Sequence, residues 1–107
     1  MFGVLIASAI LAAAFQSSAA DGARSALRAC FKQAAADAKG QKVANDAFAA
    51  FARQKCAAQE SSFKSAIWAF DSKNKVSKRQ SESDAELQVE DFVAVAADKY
   101  SADASPN

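Results

Sequence analysis

The sequence predicts an all-α protein: a small three-helix antiparallel bundle with a long central helix, following an N-terminal signal peptide and stapled by one disulfide. Three observations carry that prediction. Alanine recurs along the whole chain, and it loses less than any other residue on entering a helix. Beyond residue 20 the only glycines are Gly22 and Gly40, and the single proline, Pro106, stands beside the final residue. Apolar residues recur at three- and four-residue spacing, without the strict alternation of a half-buried strand.

Composition narrows the function classes. A chain of 107 residues holds one small domain and has no room for a large α/β or barrel enzyme. Its formal net charge of +1 argues against a dedicated nucleic-acid binder, which would carry a clear basic excess. With no histidine, His-containing zinc sites, Ser–His and Cys–His catalysis and ordinary haem attachment are excluded.

Residues 1–20 contain no charged side chain, whereas every Lys, Arg, Asp and Glu lies beyond them. Residues 4–15 form an apolar run, shorter than the roughly 20 residues that span a bilayer. Gln16, Ser17 and Ser18 follow, and Ser18 with Ala20 satisfies the small-x-small rule for signal peptidase. This predicts a signal peptide cleaved before Asp21, and a periplasmic or secreted chain without a transmembrane span. The run is preceded by neither Lys nor Arg, so the alternative is an uncleaved buried or tethering helix. Leu27-Arg28-Ala29-Cys30 superficially resembles a lipobox, but Arg28 is wrong for one and the apolar run ends well before it.

The first bundle helix is expected over residues 23–39. Ala23, Ala26, Leu27, Cys30, Phe31, Ala34 and Ala38 make its apolar stripe, with Arg24, Arg28, Lys32 and Asp37 outside it. Gly40 should end it in the left-handed conformation that glycine adopts at least cost. The central helix is expected over residues 45–71, with Asn45 and Asp46 capping its start. Phe48, Ala52, Cys56, Phe63, Ala66, Ile67 and Phe70 share one of its faces, and Gln59 falls near the middle of that face. After Asp71 the pattern weakens. A third helix is expected over residues 83–100, opened by the capping box Ser83-Asp84-Ala85-Glu86. Ala85, Val89, Phe92, Val93, Ala96 and Tyr100 form its stripe, and residues 101–107 are expected to be a disordered tail.

Cys30 and Cys56 lie on the facing stripes of the first two helices. Counted from the turn between them they differ by about two residues in height, roughly 3 Å, which loop asymmetry absorbs. A structural Cys30–Cys56 disulfide is therefore expected, and it suits an oxidising compartment. The pair is too far apart in sequence for a CxxC redox site, and two thiolates make an incomplete metal site.

No catalytic constellation is visible. The Ser-x-x-Lys matches at Ser61 and Ser72 lack the companion elements that give that tetrapeptide chemistry. Asp71 and Glu82 stand twelve residues apart inclusively, as in an EF-hand loop, but Lys73, Lys75 and Val76 occupy ligand and glycine positions. The phenylalanine spacing reads as core. Neither a catalytic residue, a cofactor nor a metal site is assigned. Trp68 lies across its helix from the phenylalanine stripe: either the segment after Asp71 folds over it, or it is an exposed anchor. With the basic residues Lys73, Lys75, Lys78 and Arg79 it forms a possible interaction surface, although dipole complementarity also accounts for the charges.

The leading expectation is an exported, non-enzymatic binding module that meets a macromolecular partner in the envelope. One alternative is a small-molecule carrier or sensor with an apolar cavity among Phe48, Phe63, Phe70 and Phe92. Another is association with the envelope surface through residues 73–79. Partner identity and oligomeric state are not written in the sequence.

Overall fold

A computed structural model describes the backbone over residues 2–104 and the side chains over residues 18–103. Among the described residues the structure is entirely helical: α1 (Phe2–Gly40), a 3-10 turn (Asn45–Ala47), α2 (Phe48–Lys55), α3 (Ala57–Lys73) and α4 (Lys78–Ala104). The all-α expectation holds, but the count differs, because the long central helix is divided into α2 and α3. The division is one residue wide and falls at Cys56, whose φ and ψ are −106° and 20°. The hydrogen-bond ladder survives on both sides of it, from Cys56 N–H to the Ala52 carbonyl and from Glu60 N–H to the Cys56 carbonyl.

The helix ends depart from expectation for identifiable reasons. α1 is continuous across the Ala20–Asp21 bond, and Ala20 is buried. The side chains of residues 1–17, most of the expected signal peptide, lie outside the described residues. At its other end α1 finishes in a Schellman motif, but Gly40 does not supply the left-handed residue. Lys42 does, at φ 58°, with Val43 N–H bonded to the Ala38 carbonyl and Lys42 N–H to that of Lys39. The end of α3 repeats this construction: Lys75 has φ 62°, and Val76 N–H reaches the Asp71 carbonyl. Both junctions thus read Lys-Val, and at the first of them Val43 packs against the core. Asn45 and Asp46 make no side-chain cap; they form the 3-10 turn that leads into α2.

α4 begins five residues before the expected Ser83. Its cap is Ser77, whose Oγ accepts from Gln80 N–H at 3.1 Å. The reason is packing: Ser81 is buried in register with Ala85, Val89 and Val93, which extends the inward stripe by one turn. At the far end the helix continues through Ala104, so residues 101–104 are helical where a disordered tail was expected. Residues 105–107 lie outside the described residues.

The core is a strip of alanines and aromatics. Leu27, Phe31, Ala34 and Ala38 of α1 face Phe48 and Ala52 of α2, Cys56 at the junction, and Phe63 and Ile67 of α3. Ala85, Val89, Val93 and Tyr100 close it from α4. Each large side chain buried here contributes about 1.5–3 kcal/mol, so a core with few of them is thin. Phe48 stacks on Tyr100 with centroids 4.4 Å apart, and Phe63 meets Phe92 edge-on at 6.0 Å. The Tyr100 hydroxyl donates to the Val43 carbonyl at 2.7 Å, tying α4 to the turn after α1.

Cys30 and Cys56 form the expected disulfide, with Cα atoms 5.8 Å apart. It joins the middle of the bundled half of α1 to the junction between α2 and α3. Three pairings fix helix directions: Arg24 with Gln88, Arg28 with Phe92, and Val43 with Tyr100. Numbers rise together, so α1 and α4 run parallel, while the disulfide pairing and the short turns send α2 and α3 the opposite way. The molecule measures 64 × 26 × 21 Å. Its long axis is the length of α1, about 58 Å at 1.5 Å per residue.

Candidate interaction surfaces

Two hollows lie along α4, one beside its first turns and one beside its C-terminal half. The first lies between α3 and the first turns of α4, with a volume of about 1120 Å³. Trp68 lines it from α3, and Lys78, Arg79 and Glu82 line it from α4. Trp68 is half-buried: the start of α4 folds alongside it and leaves one part of the indole open. Trp68 is thus neither fully covered nor fully exposed.

A salt-bridge network crosses one end of this hollow. Glu86 of α4 accepts from Lys64 at 2.5 Å and from Arg53 at 2.7 Å, while Glu60 accepts from Arg53 at 2.5 Å and pairs with Lys64 at 3.3 Å. The Lys64 and Arg53 hydrogen bonds hold the Glu86 carboxyl below the usual carboxylate range. The bond to Glu86 raises Lys64, and bonds to Glu60 and then Glu86 raise Arg53. Two cations and two carboxylates neutralise one another, so this cluster joins α2, α3 and α4 and carries little net charge outward.

The remaining cations are different. Lys73, Lys75, Lys78 and Arg79 take part in no ion pair among the described residues. Lys73 sits in the last turn of α3, where positive charge complements the dipole. Lys78 and Arg79 sit in the first turn of α4, where it does not, and no acidic residue accompanies them there. Of the predicted surface, the structure brings Trp68, Lys78 and Arg79 to one hollow and leaves Lys73 at the end of α3 and Lys75 on the turn that follows.

The second hollow, about 530 Å³, runs between α1 and α4 and was not anticipated from sequence. Phe92 and Ala96, core-stripe residues by their spacing, are both half-buried and line this groove. The signal that points to it is Val95, next to that stripe and 69% exposed. Phe92 is also the only one of the four expected cavity-lining phenylalanines to touch either hollow. Phe48 and Phe63 are fully buried against neighbouring rings. Gln59 is half-buried, with no side-chain hydrogen bond among the described residues.

No protein family, curated protein or solved structure matches the chain. Among the described residues no helix is long and apolar enough to cross a membrane.

Proposed function

We propose that the protein is an exported, non-enzymatic binding module, and that the hollow holding Trp68, Lys78 and Arg79 meets an anionic macromolecule of the envelope. One observation carries this reading: two cations with no ion pair among the described residues stand on the positive pole of the α4 dipole, beside a half-open tryptophan. Fold stability alone favours carboxylates at those positions. A partner with negative charge gives the arrangement a purpose, with Trp68 as apolar anchor and the cations as steering groups. The disulfide supports an oxidising compartment, as does the leader-like composition of residues 1–20.

The test is crosslinking with mass spectrometry in the native envelope, comparing the wild-type chain with Trp68→Ala and with Lys78→Glu/Arg79→Glu. A crosslinked species mapping to this hollow and lost in both variants is the expected result. Crosslinks that persist unchanged in the variants, or none at all, overturn it.

A second reading rests on the four cations within residues 73–79, none ion-paired among the described residues, which suit an anionic envelope surface. It requires salt-sensitive binding to vesicles containing anionic lipid. Equal binding to neutral vesicles removes it.

A further inference from the structure

We propose that the groove between α1 and α4 receives an amphipathic helix from another protein, one whose apolar stripe is flanked by carboxylates. The shape of the groove comes first. Its walls supply residues at the same spacing: Arg28, Phe31, Lys32 and Ala35 open one side, and Phe92, Val95, Ala96 and Lys99 open the other. Each wall spans twelve residues, from Arg28 to Lys39 and from Phe92 to Asp103. Two parallel helices therefore line a straight channel about 16 Å long. At this height α2 packs against both helices, with Cys56 at its end bonded to Cys30 and Phe48 stacked on Tyr100. A helix laid in the channel, antiparallel to its walls, would complete an up-down-up-down four-helix bundle.

The floor suits close approach. Ala35, Ala36 and Ala96 are small, so a helix axis can come near. Val95, more exposed than any other large hydrophobic among the described residues, would lose its contact with water on docking. The groove is open along its length, which fits a covering rod better than the enclosed pocket a small ligand requires.

Charge selects the occupant. Arg28, Lys32 and Lys39 line the α1 lip and Lys99 the α4 lip, against the single carboxylate of Asp103. Lys32, Lys39 and Lys99 are in no ion pair among the described residues. Arg28 lies over the Phe92 ring at 4.7 Å, which leaves its charge at the rim. An apolar stripe bordered by Glu or Asp is complementary to this rim; one bordered by Lys or Arg is repelled.

The full chain is titrated against a fluorescent, end-capped helical peptide of about 15 residues, with leucines at helical spacing and glutamates on both flanks. A second peptide carries lysines in place of the glutamates. Saturable binding of the glutamate peptide is expected, at least tenfold tighter than that of the lysine peptide. Val95→Glu and Lys32→Glu/Lys39→Glu alter exposed side chains, so circular dichroism should remain unchanged while affinity falls at least tenfold. Trp68→Ala and Lys78→Glu/Arg79→Glu should leave peptide binding intact, because that hollow shares no residue with the groove. The two surfaces therefore fail or succeed separately. Equal affinity for both peptides, or binding indifferent to Val95→Glu, overturns the proposal. So does self-association of the free chain abolished by Val95→Glu, which would make a second copy the occupant. Stoichiometric displacement of the peptide by laurate would assign the groove to an anionic amphiphile, and also overturns it.

Discussion

At the scale of single residues, the two left-handed lysines are the least expected feature. A side chain at positive φ costs roughly 1–2 kcal/mol, because its Cβ crowds the neighbouring carbonyl. Gly40 made the first turn look settled, yet Gly40 stays helical and Lys42 turns the chain. Where the last helical hydrogen bond falls depends on how Val43 meets the core, which spacing alone does not reveal. Lys42→Gly and Lys75→Gly should each stabilise the protein by about 0.5–1 kcal/mol, since relief of strain outweighs the added freedom of the unfolded chain. Urea denaturation checks this, and a loss of stability would contradict the assigned turns. Glu86 gives the second prediction at this scale. Its folded pKa lies below the ordinary 4.5, so its contribution is complete above that pH and disappears as pH falls through the folded value. Lys64 is raised above 10.5, so its share is complete below that pH and is lost as pH rises through the folded value. Glu86→Gln should therefore cost about 1 kcal/mol near neutrality, and the difference from wild type should shrink in acid. A difference that grows in acid would contradict the network.

At the scale of elements, the apolar stripes were legible and the boundaries were not. Leu27, Phe31, Phe48, Phe63, Val89 and Tyr100 all face inward, as their helical spacing required. The break at Cys56 left no trace in the stripe, because residues on either side of it still point toward the core. The early start of α4 was hidden by its charges. Lys78 and Arg79 belong at a helix C-terminus by every local rule, so the sequence favoured a start at Ser83. Burial of Ser81 and Ala85 overrides that preference. A measurable conflict follows. Lys78→Glu/Arg79→Glu should raise stability by about 1 kcal/mol through the helix dipole, while abolishing the contact proposed for the Trp68 hollow. Thermal denaturation of the variant reads the first half; an unchanged or lower midpoint would mean that the two cations serve the fold after all.

At the scale of the whole molecule, the Cys30–Cys56 bridge carries a large share of stability. It closes a span of 26 residues, worth roughly 3–4 kcal/mol by loop entropy, comparable with the total expected of so small a core. Cys30→Ala/Cys56→Ala should lower stability by about that amount, and reductant should do the same to the wild-type chain. Denaturation curves that coincide with and without reductant would show that the helices hold without it. This bond was readable from sequence because two helical stripes and one short turn fix the relative height of the cysteines. The α1–α4 groove was not, because spacing identifies the face a helix turns inward but not whether a third neighbour covers its edge. The bridge has a further consequence for biogenesis. With two cysteines in the sequence there is a single intramolecular pairing, so oxidation has no wrong isomers to sort and calls for an oxidant without a shuffling catalyst. Every mispaired product is intermolecular, a covalent dimer or a longer oligomer, whose yield should climb with the concentration at which newly made chains meet.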